Sequence, residues 1–459
     1  MAAGNTRTAE TEEERSVKRF YGSKRGRSVT TLFVVALGLS LFVAACGGEG
    51  EKSSNAGSVV ENPKCGNGNG QQPTGSPIKI GAIATKQPGT DFTDGVLAAK
   101  AYFDCVNDNG GVNGHPIEYI YETEQTDPAQ DAALARKLVE TEGVLGMTGG
   151  FSLIECDVNH GYYESKGIAV MNAGIAPSCW ASPNSAPVNM GPRYSSDGAV
   201  QAVIRQDADK IVFDQSNVPG TGYIAEGPKI VADAAGIPIT ELADNVPIQD
   251  ANSVAVKLTQ QAGENGAVVL NFTPPEALKI LQAAQQQGLA DSVKAWGCST
   301  PCNTDFLAEA LGAEWDDKLL VNAELNVTDF DGPDSELYRT VMAKYGQDVT
   351  GGLGSFSQMG YLMGEFMTSA LESVKGDYTV ESVNEAVFGL KNQETDILCR
   401  PWYYGKAPLH IPNNVDWTTT PEGGTMVIKE DCFEISEDEP DIAKVRQIEE
   451  ADPSLTGED

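Results

Sequence analysis

Histidine and positive charge are scarce in this chain. Its 459 residues include three histidines, and 32 Lys and Arg stand against 65 Asp and Glu, for a net charge of −33. A surface this acidic repels nucleic acid and anionic lipid heads, and no basic stripe interleaved with aromatics offsets it. Near-neutral acid–base capacity is limited to His115, His160 and His410, and His115 sits in the turn Asn113-Gly114-His115-Pro116. No Gly-x-Ser-x-Gly elbow, His-Glu-x-x-His pair or Walker-type phosphate loop occurs. Paired carboxylates carry no signal, because so many acids make chance pairing inevitable. Beyond residue 45 no apolar run is long enough to span a bilayer. Nucleic-acid binding is thereby excluded, and an exported hydrolase would need a nucleophile and base that the sequence does not display.

What is present begins with an export signal. Lys18, Arg19, Lys24, Arg25 and Arg27 precede an uncharged, mainly apolar stretch from Val29 to Ala45, which ends in Val43-Ala44-Ala45-Cys46-Gly47-Gly48. A charged region, an apolar region and small residues before a cysteine read as a lipoprotein cleavage and acylation site at Cys46. The alternative is an uncleaved single-pass anchor, since the run is near the lower length limit for a span. In both cases the rest of the chain lies outside the cell membrane, on its outer face. Residues 46–77, rich in Gly, Asn, Ser, Gln and Pro, read as a flexible tether.

Cysteine usage agrees with export. With Cys46 set aside, the nine cysteines leave an even number that an oxidising compartment can pair completely. Proximity and element layout favour Cys65 with Cys105, Cys156 with Cys179, Cys298 with Cys302, and Cys399 with Cys432. A metal site at Cys156, His160 and Cys179 is the rival reading, and the ligand count leaves it short. No metal and no cofactor is expected.

Periodicity gives the fold class. Strand-like runs at Ile78–Ala84, Ile117–Tyr121, Gly143–Thr148 and Ile168–Met171 alternate with helical spacing at Gly95–Val106, Pro128–Glu142 and Glu155–Lys166. A second series follows Pro192: helix Asp197–Gln206, strand Lys210–Phe213, helix Ile224–Ala235, a strand from Ile237, helix Ser253–Gly263, strand Ala267–Asn271, helix Pro275–Gln287 and strand Val293–Trp296. Helices at Ser335–Tyr345, Gly360–Val374 and Val380–Gly389 precede late strands at Cys399–Tyr404 and Met426–Ile435. Such alternation implies α/β architecture with parallel sheets covered on both faces, in two Rossmann-like lobes. Residues 437–459, acidic and without aromatics, read as a disordered tail.

In open α/β sheets small molecules bind beyond the carboxyl ends of strands. The loops at those ends supply the candidate ligand contacts: Gln87, Asp91 and Phe92; Gly150, Phe151 and Ser152; Asn172, Ala173, Gly174, Ile175 and Ala176; Gln215 and Asn217; Asn271 and Thr273; Cys298 and Ser299. Gly149-Gly150-Phe151-Ser152 is the sharpest, since glycines admit close backbone approach and Ser152 can cap a helix or bond a ligand oxygen. Phe92, Phe151 and Phe272 can form apolar walls or simply belong to the core.

Several of these elements together resemble the leucine/isoleucine/valine-binding protein family, the type I periplasmic-binding fold of ABC importers. They are Ile80-Gly81-Ala82-Ile83, Gly95 to Ala101, Val106-Asn107-Asp108-Asn109-Gly110-Gly111-Val112-Asn113-Gly114, Thr126-Asp127-Pro128, Lys137-Leu138-Val139 and Gly149-Gly150-Phe151-Ser152. The resemblance runs from about Ile78 to about Ile435 and implies a monomeric clamp. Lobe 1 would take residues 78–195 and 327–390 and lobe 2 residues 196–326 and 391–436, with crossover segments as a hinge and a ligand cleft between the lobes. Its partners would be a small molecule (a branched-chain amino acid, an amide or a small carboxylate) and the transmembrane permease subunits, with a lipid anchor holding it to the membrane. Ser152 matches the serine that holds an amino-acid carboxylate, and the 172–176 loop matches a second carboxylate clamp, with Ala176 where a threonine is expected. Thr273 falls where an aromatic is frequent, and Cys298-Ser299 falls where amino-acid binders place an acid against the ligand ammonium. A buried ammonium without a counter-charge is costly, so a zwitterion would need Asp91, Asp214 or Glu324. A ligand-sensing ectodomain shares the fold, but would need a spanning helix to pass its signal.

Overall fold

A computed structural model describes residue 60 and residues 62–405, 409–410 and 414–457. The expected signal segment, Cys46 and the tether up to residue 59 lie outside the described residues. Chain order in the first lobe runs β1 (Ile78–Gln87), β2 (Thr90–Asp91), α1 (Thr93–Asp108), β3 (Ile117–Glu124), α2 (Pro128–Arg136), β4 (Gly146–Gly150), α3 (Glu155–Lys166), β5 (Val170–Asn172), α4 (Pro177–Ala181) and β6 (Ser185–Pro187). The second lobe continues with α5 (Gly191–Ile204), β7 (Ile211–Ser216), α6 (Glu226–Ala234), β8 (Ile239–Asp244), α7 (Ala251–Ala262), β9 (Ala267–Asn271), α8 (Pro274–Gln286), β10 (Ala295–Cys298), α9 (Asp305–Leu311) and β11 (Leu319–Ala323). After them come α10 (Pro333–Tyr345), α11 (Ser355–Ser373), α12 (Val380–Phe388), β12 (Val415–Glu422), β13 (Thr425–Glu434) and α13 (Pro440–Ala451).

The strands form two sheets. In the first, β3-β1-β4-β5-β6 are parallel neighbours and β2 folds back antiparallel on β1. In the second, β8-β7-β9-β10-β11 are parallel and β12 and β13 add an antiparallel edge. Strands such as Ala267-Val-Val-Leu-Asn271 are buried along their whole length because helices cover both faces. Against the first sheet, α1, α10 and α11 pack on one face and α2 and α3 on the other. Against the second, α7, α8 and α9 oppose α5 and α6. The two-lobed α/β class is therefore as the alternation implies. The chain crosses between the sheets after β6, after β11 and before β12.

The four disulfides join Cys65–Cys105, Cys156–Cys179, Cys298–Cys302 and Cys399–Cys432, the pairing that proximity favours. Three expectations are corrected. Residues 62–77 are not a free tether throughout: Cys65 is fully buried in its disulfide, the Asn67 amide donates to the Asn109 carbonyl, and Lys64 pairs with Asp334 and Glu365 at 2.5 and 3.0 Å. Residues 391–405 do not join the second lobe, and Cys399–Tyr404 is not a strand apart from a bridge between Gln393 and Trp402. Ile397, Trp402 and Tyr404 instead fill the first lobe's core, where Trp402 stacks on Phe366 and donates its indole N–H to the Pro187 carbonyl. Residues 437–457 are not disordered: α13 buries Ile442 and Val445 against Trp180 and Tyr194. Acidic composition hides two apolar positions three apart, enough for one buried helical stripe.

Candidate functional site

The cleft between the lobes holds an inner cavity of about 90 Å³. It continues into a wider mouth of about 330 Å³ that shares Thr90, Thr273, Pro301 and Phe356 with it. Both rims are touching. On one, the Tyr223 hydroxyl of the second lobe donates to the Ile175 carbonyl of the first. On the other, the β1–β2 turn reaches the second lobe so closely that a Cβ on Gly89 would lie 2.9 Å from the Pro247 nitrogen. The first turn of α11 is also tied across, its Ser355 hydroxyl donating to the Thr300 and Asn303 carbonyls at 3.0 and 3.1 Å.

The structure brings Phe92, Phe151, Ala173, Ile175, Asn271 and Thr273 to the inner wall, and Asp91 to the mouth. Phe92 and Phe151 both pack edge-on to Phe356, at 5.3 and 6.2 Å between ring centroids, so the first-lobe wall is aromatic. Phe272, Val218 and Ile224 face it from the second lobe.

Other expected contacts stand behind the wall, engaged with the protein itself. Ser152 is buried; its hydroxyl donates to Glu124 Oε1 at 2.9 Å and accepts the Ile154 and Glu155 amides at 3.1 and 3.0 Å in the turn that leads into α3. Asn172 bonds Ser185 and the Gly174 amide, and Gln87 accepts from Thr126. Gly150, Gly174 and Ala176 shape the turns behind the cavity without lining it. Gln215 reaches the Thr221 carbonyl, Asn217 bonds Asn245, Ser299 bonds Asn271, and Cys298 is held in its disulfide. Replacing Ser152 by Ala removes the partner of two turn amides and one partner of the buried Glu124 carboxylate. We expect a loss of about 1–2 kcal/mol in chemical denaturation.

Among the acids that could balance a ligand cation, Asp91 sits at the surface beside Lys86 at 3.5 Å. Asp214 is buried off the wall against Asp244, and burial with that neighbour pushes it up to about 8. Glu324 alone of the three lines the inner cavity. Its Oε1 accepts the Met190 and Gly191 amides at 2.5 and 3.1 Å, and burial pushes it up to about 7.

Sequence reasoning missed the hinge contribution. Asn189, Gly191 and Ser195 enter the wall from the crossover into α5, and Phe356 and Met359 from the start of α11. Gly191 has a local signature: with φ +81°, a Cβ there would lie 1.8 Å from the Gly174 carbonyl oxygen, so the two loops meet backbone to backbone. Phe356 and Met359 lie more than a hundred residues from the first-lobe loops they face, and Asn189 and Ser195 have no local mark.

Among the described residues no helix is long and apolar enough to cross a membrane, and no cluster of side chains fits a metal ion. None of the curated proteins matches the chain. Solved structures resemble it in fold. A branched-chain amino acid ABC transporter protein from Thermus thermophilus with bound valine is 16% identical, covering 81% of this chain and 99% of that one at a TM-score of 0.68. A fatty acid ABC transporter substrate-binding protein from Thermomonospora curvata is 20% identical, with 81% and 96% covered and a TM-score of 0.66. A solute-binding protein from Rhodopseudomonas palustris HaA2 in complex with p-hydroxybenzoic acid is 17% identical, with 79% and 99% covered and a TM-score of 0.64. A family model described as periplasmic binding protein matches residues 77–413, and with two lobes enclosing a cleft the chain belongs to the periplasmic binding protein family.

Proposed function

We propose that the protein is the extracytoplasmic, lipid-anchored solute-binding component of an ABC importer, closing its lobes over a small and largely apolar solute for delivery to the permease. The observation that carries this reading is the inner cavity, whose wall is shared between the lobes and is dominated by phenylalanine and aliphatic side chains. A ligand there contacts both lobes only when they are together, so its binding energy favours closure. The anchor rests on the Cys46 sequence, and the transporter assignment on the family and on the ligands held by structures of the same fold. The solute class spans branched-chain amino acids, amides and small carboxylates.

Thermal denaturation with such compounds tests the reading. A true solute at about a hundred times its Kd adds about 2.7 kcal/mol of stability, which raises Tm by several degrees. Chemical turnover of a bound compound, or no shift with any compound of suitable size, would count against it.

A further inference from the structure

The cavity wall carries a polar patch at the hinge. Asn189 is 3% exposed and Ser195 1% exposed; both line the cavity, and Asn189 Oδ1 and Ser195 Oγ have no hydrogen-bond partner among the described residues. The Asn189 side chain also hydrogen-bonds the Glu324 carboxyl. Of the two polar atoms of that amide, it is the oxygen that has no partner. A buried acceptor without a partner costs about 1–3 kcal/mol, and native folds rarely keep one without reason. Glu324 itself stands on the same wall.

Toward the opposite pole four backbone amides are already engaged: Phe151 with Ile83, Leu153 with the Thr85 hydroxyl, Ala173 with Gly150, and Gly174 with Asn172. The Ser152 hydroxyl is given to Glu124, a carboxylate of the protein itself. At the hinge, a ligand carboxylate would meet the Asn189 oxygen, an acceptor, with the Ser195 hydroxyl as one donor.

We propose that the solute has a hydrogen-bond-donating head, an amide, amine or hydroxyl, which meets Asn189 Oδ1 and Ser195 Oγ, while its hydrocarbon body lies among Phe92, Phe151 and Phe356. A carboxylate is not the group recognised at the hinge. This rests on the solute-binding reading above and narrows it.

The test is calorimetric titration of the full-length protein with matched series sharing one body: benzamide, benzylamine, benzyl alcohol and benzoate, then isovaleramide, isoamylamine, isoamyl alcohol and isovalerate. At least one donor-headed compound should bind tenfold or more tightly than the carboxylate of the same body. Ser195→Ala and Asn189→Leu should each weaken that compound about tenfold. Ser195→Ala should leave the Tm of the unliganded protein unchanged or higher, because it removes an unpartnered buried hydroxyl; a structural hydroxyl would lower it. A carboxylate that binds as tightly as its donor-headed partners overturns the head-group assignment and leaves solute binding standing. Silence from both series overturns the two together.

Discussion

The melting temperature should fall steadily as pH is raised from 5 to 8. Burial pushes Asp131, Glu324 and Glu365 up to about 7 and Asp214 up to about 8. Glu155, Asp197 and Asp416 are raised well above the ordinary carboxylate range for the same reason. Neighbours reinforce the effect: Glu124 faces Asp131, Asp244 faces Asp214, and Glu324 faces Asp416. For an acid whose folded pKa is raised, the folded state holds a proton that the unfolded chain gives up near pH 4. Its stabilisation is complete below that value and is lost as pH climbs to the folded pKa. One group raised from 4.5 to about 7 carries on the order of 3 kcal/mol across that window. Several together should lower stability by about 5 kcal/mol or more between pH 5 and 8, and repulsion within an acidic chain adds to the fall. Calorimetry across this range is the measurement. Asp214→Asn should flatten the curve, and a Tm that rises with pH would refute the account.

Deleting residues 437–459 should lower Tm by about 10 °C or more. The helix α13 buries Ile442 and Val445 completely or nearly so. Its Glu449 accepts from Arg400, Tyr403 and Asn414 at 2.9, 2.8 and 3.1 Å, and Glu439 accepts from Arg193 at 3.0 and 3.2 Å. Losing two buried aliphatic side chains costs about 2–5 kcal/mol for each, and stripping buried cations of their carboxylates about 3 kcal/mol more. Ile442→Ala alone should cost about 2–4 kcal/mol in urea denaturation. A truncated protein that melts with the full chain would mean that the helix contributes nothing. The family model ends at residue 413, so this helix lies beyond the residues it matches.

How much of this was readable in advance differs by element. Glu155–Lys166 and Ala267–Asn271 carry complete local signals and appear with the expected bounds. The strands β11 and β12 were missed, because Leu-Leu-Val-Asn-Ala and a threonine-rich run bounded by acids have no clear period. Residues 391–405 were assigned to the wrong lobe, since Trp402 and Tyr404 look like strand residues whichever sheet they approach. Within the site, Phe92, Phe151 and Ile175 were found because they end strands or follow them. Ser152 holds the turn ahead of α3, short of the cap position expected of it, which Ile154 occupies, and its bond to Glu124 depends on the register of β3 beside β1.

The sequence by itself determined the acidic, cysteine-paired, two-lobed α/β character of the chain and the loops from which its cleft would be drawn. Those features follow from local periodicity, composition and strand-end geometry. Tertiary structure alone decided which members of those loops line the cavity and which brace the wall; it singled out Glu324 among three candidate acids and added Asn189, Ser195 and Phe356. Their positions are set by long-range packing of the hinge crossovers and α11 against both sheets, and a side chain's direction across such a contact depends on partners more than a hundred residues away.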